Sequence, residues 1–97
     1  MTKLTDEQIH SSLLSLGDWT VQAGKLHREY SFPDFVHAFG FMATCATAIE
    51  AMNHHPEWFN VWNRVVVDLA THDAGGITEK DFQLARRMEG IAKKLQA

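Results

Sequence analysis

Apolar residues recur along this chain with two alternating periods, and the order of those periods predicts the fold. Ile9, Leu13 and Leu16 follow one another at helical spacing, and Leu14 widens their stripe. Ahead of them, Thr5-Asp6-Glu7-Gln8 has the spacing of a capping box, with Thr5 as the cap and Gln8 reaching back to it. Gly17 and Asp18 end that helix. Residues 19–22 and 26–32 then read as strands joined by a hairpin turn, in which Gly24 supplies a left-handed backbone. In the second strand Leu26, Arg28, Tyr30 and Phe32 share one face, and His27, Glu29 and Ser31 share the other.

Pro33-Asp34 opens the longest helix, with the proline near the first turn, where its missing N–H does no harm. Phe35, Phe39, Met42, Ala46 and Ile49 line its expected core face, which Val36, Ala38, Ala43 and Cys45 extend. His37, Gly40, Thr44, Thr47 and Ala51 lie opposite, and most of them are small. This helix must end before Pro56, because the residue preceding a proline is pushed into extended conformations. Residues 58–63 and 65–71 read as a second strand pair around an Asn63-Arg64 turn, followed by a loop at 73–76. Thr78 caps a last helix with apolar positions at Phe82, Ala85, Met88 (or Leu84), Ile91 and Leu95, weakened somewhat by Gly90. The order helix, two strands, helix, two strands, helix predicts an α+β fold. Its expected form is a four-stranded antiparallel sheet with three helices packed on one face.

At 97 residues the chain is expected to form a single domain over 1–97, since two cores would each be too small to fold alone. Its net charge of -3 argues against direct binding of nucleic acid, whose phosphates are gripped by clustered Lys and Arg. The lone Cys45 excludes an internal disulfide and a cysteine zinc cage. The opening MTKLTDEQ has no apolar run, and the apolar stretch from Phe35 to Met52 is interrupted by His37, Gly40, Thr44, Thr47 and Glu50. No secretory signal, no membrane span and a cytoplasmic location are the expectations.

Six histidines invite a search for chemistry. His10, His27 and His37 fall on solvent or polar faces and read as surface residues. Glu50, His54, His55 and Pro56 close the long helix, and Glu50 and His54 would be neighbours on its surface if the last turn persists. Glu50 would then orient His54 and favour its charged form. His72 follows the last strand and precedes Asp73 and the Gly75-Gly76 pair, where a ligand can approach the backbone. A metal site is disfavoured, because adjacent His54-His55 lacks helical ligand spacing and no cysteine joins them. Histidines that merely cap the helix, and histidines that perform acid/base chemistry near neutral pH, remain equally open from spacing alone.

The run Glu50-x-x-x-His54-His55-Pro56, then Trp62, His72 and Asp81, resembles the signature of the pterin-4a-carbinolamine dehydratases. The words Phe39-Gly40-Phe41-Met42, His55-Pro56-Glu57-Trp58-Phe59-Asn60-Val61 and Thr71-His72-Asp73-Ala74-Gly75-Gly76-Ile77-Thr78 match as well, so the resemblance spans nearly the whole chain. It implies a hydro-lyase that removes water from 4a-hydroxytetrahydropterin, giving quinonoid dihydropterin, without metal or organic cofactor. That reaction recycles the cofactor of an aromatic amino acid hydroxylase. The resemblance makes His54, His55 and His72 the active-site histidines, with His54 and His72 as the proton-transfer pair and Glu50 orienting His54. His54, His55, Pro56, Thr71, His72, Asp73, Ala74 and Asp81 would bind substrate, although Asp81 is equally placed to serve its helix N-terminus. Trp58, Phe59 and Trp62 could wall the site. A homodimer or homotetramer through the 34–52 helix is also expected, with Thr44, Thr47 and Ala51 against a neighbour. Two alternatives accompany this reading: a protein-binding dimerisation cofactor of the transcriptional coactivator type, and an inactive family member.

Overall fold

Three α-helices and four β-strands follow in the predicted order in the computed structural model of the protein, which describes residues 1–96. They are α1 (Asp6–Leu13), β1 (Thr20–Gln22), β2 (Lys25–Ser31), α2 (Phe35–Met52), β3 (Glu57–Val61), β4 (Arg64–Leu69) and α3 (Glu79–Gln96), with a single 3-10 turn at His72–Ala74. The capping box of α1 forms as expected: Gln8 N–H donates to the Thr5 hydroxyl at 3.1 Å and Thr5 N–H to the Gln8 side chain at 2.9 Å. Helix α1 ends at Leu13, so Leu14 turns outward and does not widen the apolar stripe; Leu16 is buried beyond it.

The strands form one sheet in the order β1-β2-β4-β3, antiparallel throughout. Each hairpin is local, and pairing β2 with β4 joins the two hairpins. The register sets Tyr30 opposite Val65 and Leu26 opposite Leu69, so the alternation in β2 and β4 delivers these four residues and Val67 to one buried face. Phe41 from α2 packs into that face, its ring centroid 4.9 Å from Tyr30 and 5.1 Å from Phe32. Arg28, the polar member of the inner face, stacks its guanidinium 4.1 Å from the Tyr30 ring centroid. Beside it, Glu89 of α3 accepts from Trp19 Nε1 at 2.9 Å and from the Tyr30 hydroxyl at 2.7 Å. The outer face expected for His27, Glu29 and Ser31 is the uncovered one.

Helix α2 buries only part of the apolar surface its periodicity predicts. Ala38, Phe41, Cys45, Ala48 and Ile49 point into the core, whereas Phe35, Val36 and Phe39 remain 47%, 76% and 57% exposed. The physical reason is that α2 is apolar around most of its circumference, so periodicity cannot choose a face. Its threonines are weak markers too, since Thr44 and Thr47 donate to the helix's own carbonyls at 2.7 and 2.8 Å. By length and composition α2 even suffices to cross a membrane, contrary to the expectation, with a mean hydropathy of 1.3. In this fold it packs one side against α3 and the sheet.

The β3–β4 turn is also shifted by one residue. It falls at Trp62-Asn63, and Trp62, 66% exposed, takes the left-handed conformation at φ 49°. Asn63 instead ties the turn to the end of β2, donating from Nδ2 to the Phe32 carbonyl at 2.9 Å and accepting from Phe32 N–H at 2.9 Å. That tertiary pairing outweighs the local preference of asparagine for positive φ.

Candidate active site

The site begins where α2 ends. Asn53 takes a left-handed conformation (φ 49°), and His54 N–H donates back to the Ile49 carbonyl at 3.2 Å, which closes the helix in a Schellman-like cap. Helical geometry is therefore lost before His54, and with it the expected pairing of Glu50 and His54. Glu50 lies instead near His55, 3.9 Å from its Nε2, and both side chains are largely exposed. An ion pair that open to water contributes little.

His54 turns inward, is only 8% exposed, and meets a different carboxylate. Its Nε2 lies 2.5 Å from Oδ1 of Asp81, a fully buried residue in the first turn of α3. The sequence around Asp81 explains its position. Thr78 precedes the first helical residue, and Asp81 stands three places on, the spacing of a capping box. Accordingly Thr78 N–H donates to Asp81 Oδ2 at 2.8 Å, and the Thr78 hydroxyl accepts from Lys80 N–H at 3.2 Å. The helix N-terminus adds a favourable field for a carboxylate. A second donor, the Thr71 hydroxyl, reaches Oδ2 at 2.8 Å, so both Asp81 oxygens are engaged by protein. Asp81, expected to contact substrate, thus also meets His54.

This arrangement selects the histidine tautomer. A carboxylate only accepts hydrogen bonds, so Nε2 of His54 carries the proton. The neutral ring then has its basic lone pair on Nδ1. Buried aspartate holding one imidazole nitrogen and freeing the other for proton transfer is the logic of hydrolase triads.

His72 sits on the 3-10 turn after β4 and is exposed, as are His55 and Asp73; Pro56 and Ala74 are half-buried. The turn is closed by Thr71, whose N–H donates to Gly76 O at 2.9 Å and whose carbonyl accepts from Ala74 and Gly75 N–H at 3.2 and 3.1 Å. Gly75, at φ 73°, makes the left-handed bend this closure requires. A cleft of about 330 Å³ opens beside His72, bounded by Gly24 and Lys25 of the first hairpin and by Thr71, Gly75 and Gly76. Glu57 pairs with Lys25 nearby, which holds its carboxyl below the usual glutamate range, with a smaller contribution from His72. Trp58 is half-buried against the core, whereas Phe59 and Trp62 are exposed, so of the three expected walls only Trp58 packs inward. Among the described residues, no three His, Cys, Asp or Glu side chains converge in a way that could hold a metal ion.

Helical spacing pairs His54 with Glu50, whereas the structure pairs it with Asp81. The Thr78-x-x-Asp81 spacing was the available signal for where Asp81 points. Nothing local announces that Thr71 joins it.

The family model described as pterin 4 alpha carbinolamine dehydratase matches residues 2–91. A protein from Solibacter usitatus, named provisionally as a pterin-4-alpha-carbinolamine dehydratase, is 63% identical over 91 residues, covering 94% of this chain and 96% of its own. A crystal structure of a transcriptional coactivator/pterin dehydratase from Brucella melitensis superposes with a TM-score of 0.91 at 45% identity, covering 94% of this chain and 99% of that one. A pterin dehydratase-like RuBisCO assembly factor of the alpha-carboxysome shares the fold alone, at TM-score 0.63 and 19% identity over 76% of this chain and 86% of its own. Along nearly its whole length, in sequence as in fold, the chain belongs to the pterin-4-alpha-carbinolamine dehydratase family.

Proposed function

We propose that the protein dehydrates pterin-4a-carbinolamine, 4a-hydroxytetrahydropterin, to quinonoid dihydropterin and water, recycling the pterin of an aromatic amino acid hydroxylase in the cytoplasm. The elimination takes a proton from ring N5 and delivers one to the hydroxyl leaving carbon 4a, so one water departs and no electrons enter. His54 and His72 are the proposed proton-transfer pair, working without metal or cofactor. His55, Pro56 and the segment Thr71 to Ala74 hold the pterin. The observation that carries this reading is the buried 2.5 Å contact of His54 with Asp81, which commits Nε2 and leaves Nδ1 as the base. A histidine that merely caps its helix needs no buried carboxylate of its own.

Stopped-flow dehydration, corrected for the spontaneous reaction, tests it. His54→Ala and His72→Ala are each expected to lower kcat by about 10²- to 10⁴-fold with the fold intact by circular dichroism. Their losses should not multiply, because either deletion disables the shared transfer. His55→Ala should chiefly raise KM. Near-normal kcat in the His54 or His72 variant would return that histidine to a structural role.

A protein-binding role is favoured by a separate observation, the uncovered apolar surface of α2 formed by Phe35, Val36 and Phe39. The Brucella melitensis relative is named a coactivator as well as a dehydratase. We propose first that this surface meets a second copy of the chain; capture of a different protein, lost when the surface is charged, would favour the coactivator reading instead.

A further inference from the structure

We propose that Thr71 is a positioning residue for both histidines, its hydroxyl fixing Asp81 and hence His54 while its backbone closes the turn that carries His72. The inference rests on the dehydratase reading and assigns the Thr71 hydroxyl to positioning, leaving side-chain contact with the pterin in the 71–74 segment to its other residues.

The hydrogen-bond directions follow from counting protons. Asp81 Oδ2 has none to give, so the 2.8 Å contact is a donation from the Thr71 hydroxyl. That uses the only proton of Thr71, so the 2.7 Å contact between the two threonine hydroxyls must be a donation from Thr78 to Thr71. Thr78 in turn accepts from Lys80 N–H. The result is a chain of donations from the α3 backbone through Thr78 and Thr71 to Oδ2 of Asp81, which His54 Nε2–H meets from the other side at Oδ1. Every proton in it is spent inside the protein, and the Thr71 hydroxyl has none left for a pterin. Thr71 also lies two residues beyond the end of β4 and precedes His72, and both its backbone polar groups close the turn at Gly76, Gly75 and Ala74. One residue therefore fixes two histidines that lie on different elements.

Without the hydroxyl, Asp81 keeps Thr78 N–H and His54 but loses its second anchor on Oδ2. The Asp81 carboxylate can then rotate, and His54 is no longer held in one tautomer. The test compares Thr71→Val, which preserves shape, with Thr71→Ser, which preserves the hydroxyl. Two quantities are read: dehydration kinetics, and solvent exchange of the His54 Nε2 proton by nitrogen-15 NMR without any pterin. Thr71→Val is expected to lower kcat about 10- to 100-fold, the range of a lost hydrogen bond to a charged group. KM should stay within about threefold, and the Nε2 proton should exchange at least about tenfold faster. Thr71→Ser should restore both to within about threefold of the natural protein. Should Thr71→Val not fold, Thr71→Ala carries the same expectations.

Unchanged exchange overturns the proposal whatever kcat does, because the hydroxyl then acts elsewhere. A raised KM with kcat retained also overturns it, since the hydroxyl would then be meeting substrate. Should the natural protein not dehydrate the carbinolamine, the exchange measurement still decides whether Thr71 orders His54, so failure of the dehydratase reading is told apart from failure of this one.

Discussion

Glu50 is the carboxylate that helical spacing assigns to His54 and Asp81 the one the fold places beside it, and burial separates the two. Asp81 is closed off from water and spends both oxygens on named donors, whereas Glu50 lies open beside His55. Asp81→Asn should therefore cut kcat by about 10²-fold or more, because an amide can present N–H to His54 and select the wrong tautomer. Glu50→Gln should change kcat by less than about threefold. Stopped-flow rates for the pair settle the matter, and a larger loss at Glu50 would restore the assignment made from helical spacing. The reason that assignment failed is local: a left-handed Asn53 unwinds the helix one residue too early for an i,i+4 pair. Another histidine read as a plain surface residue is also more than that. His27 lies on the uncovered sheet face between Asp68, 2.8 Å from Nδ1, and Glu29, 3.0 Å from Nε2. Its pairing with Glu29, then with Asp68, raises its pKa above the ordinary 6.5. A raised folded-state value stabilises the protein fully below the unfolded pKa, and the gain is lost as pH rises through the folded one. His27→Gln should accordingly cost stability at about pH 5.5 and nearly none at about pH 9. Urea denaturation of both proteins at the two values measures this, and an equal loss at both would show that the charge plays no part.

At the scale of elements, the sequence reads well wherever local chemistry and tertiary demand coincide. The capping box of α1, the alternation in β2 and the order of all seven elements were legible for that reason. What escaped were choices made by contacts distant in sequence. The face α2 buries is selected by the ring of Tyr30 and the strands beneath, and no interruption of its apolar surface marks it. The β3–β4 turn moves by one residue because Asn63 is claimed by the Phe32 backbone, leaving Trp62 to adopt the positive φ. A bulky side chain pays for that conformation, and Trp62 is too exposed to recover much by packing. Trp62→Asn should stabilise the protein by about 0.5 kcal/mol, since asparagine tolerates the left-handed region. The midpoint of urea unfolding reads the change directly. A less stable variant would mean that the indole makes a contact worth more than the backbone strain.

The molecule as a whole presents two unlike surfaces. On the uncovered side of the sheet, charges are matched: Lys25 with Glu57, His27 with Asp68 and Glu29, and Glu29 with Arg64 at 3.6 Å. Water suits such a face. On the far side, the outward surface of α2 offers Phe35 and Phe39 in mutual contact, ring centroids 5.7 Å apart, with Val36 beside them and Thr44, Thr47 and Ala51 exposed further along. A contiguous apolar helix face left to solvent favours association. The expected partner is the same face of another copy, because a two-fold axis lets one surface cover itself. Light scattering at micromolar concentration should give at least twice the 11.0 kDa of one chain. Val36→Glu combined with Phe39→Asp should return it to a monomer, at little cost to the fold because neither side chain is in the core. A clean monomer from the natural protein would refute self-association. The double variant also separates assembly from chemistry. His54, Asp81, Thr71 and Thr78 are joined within one chain, so the monomeric variant should keep its dehydration rate to within about threefold. A much larger loss, with the fold intact, would mean that the neighbouring copy completes the site.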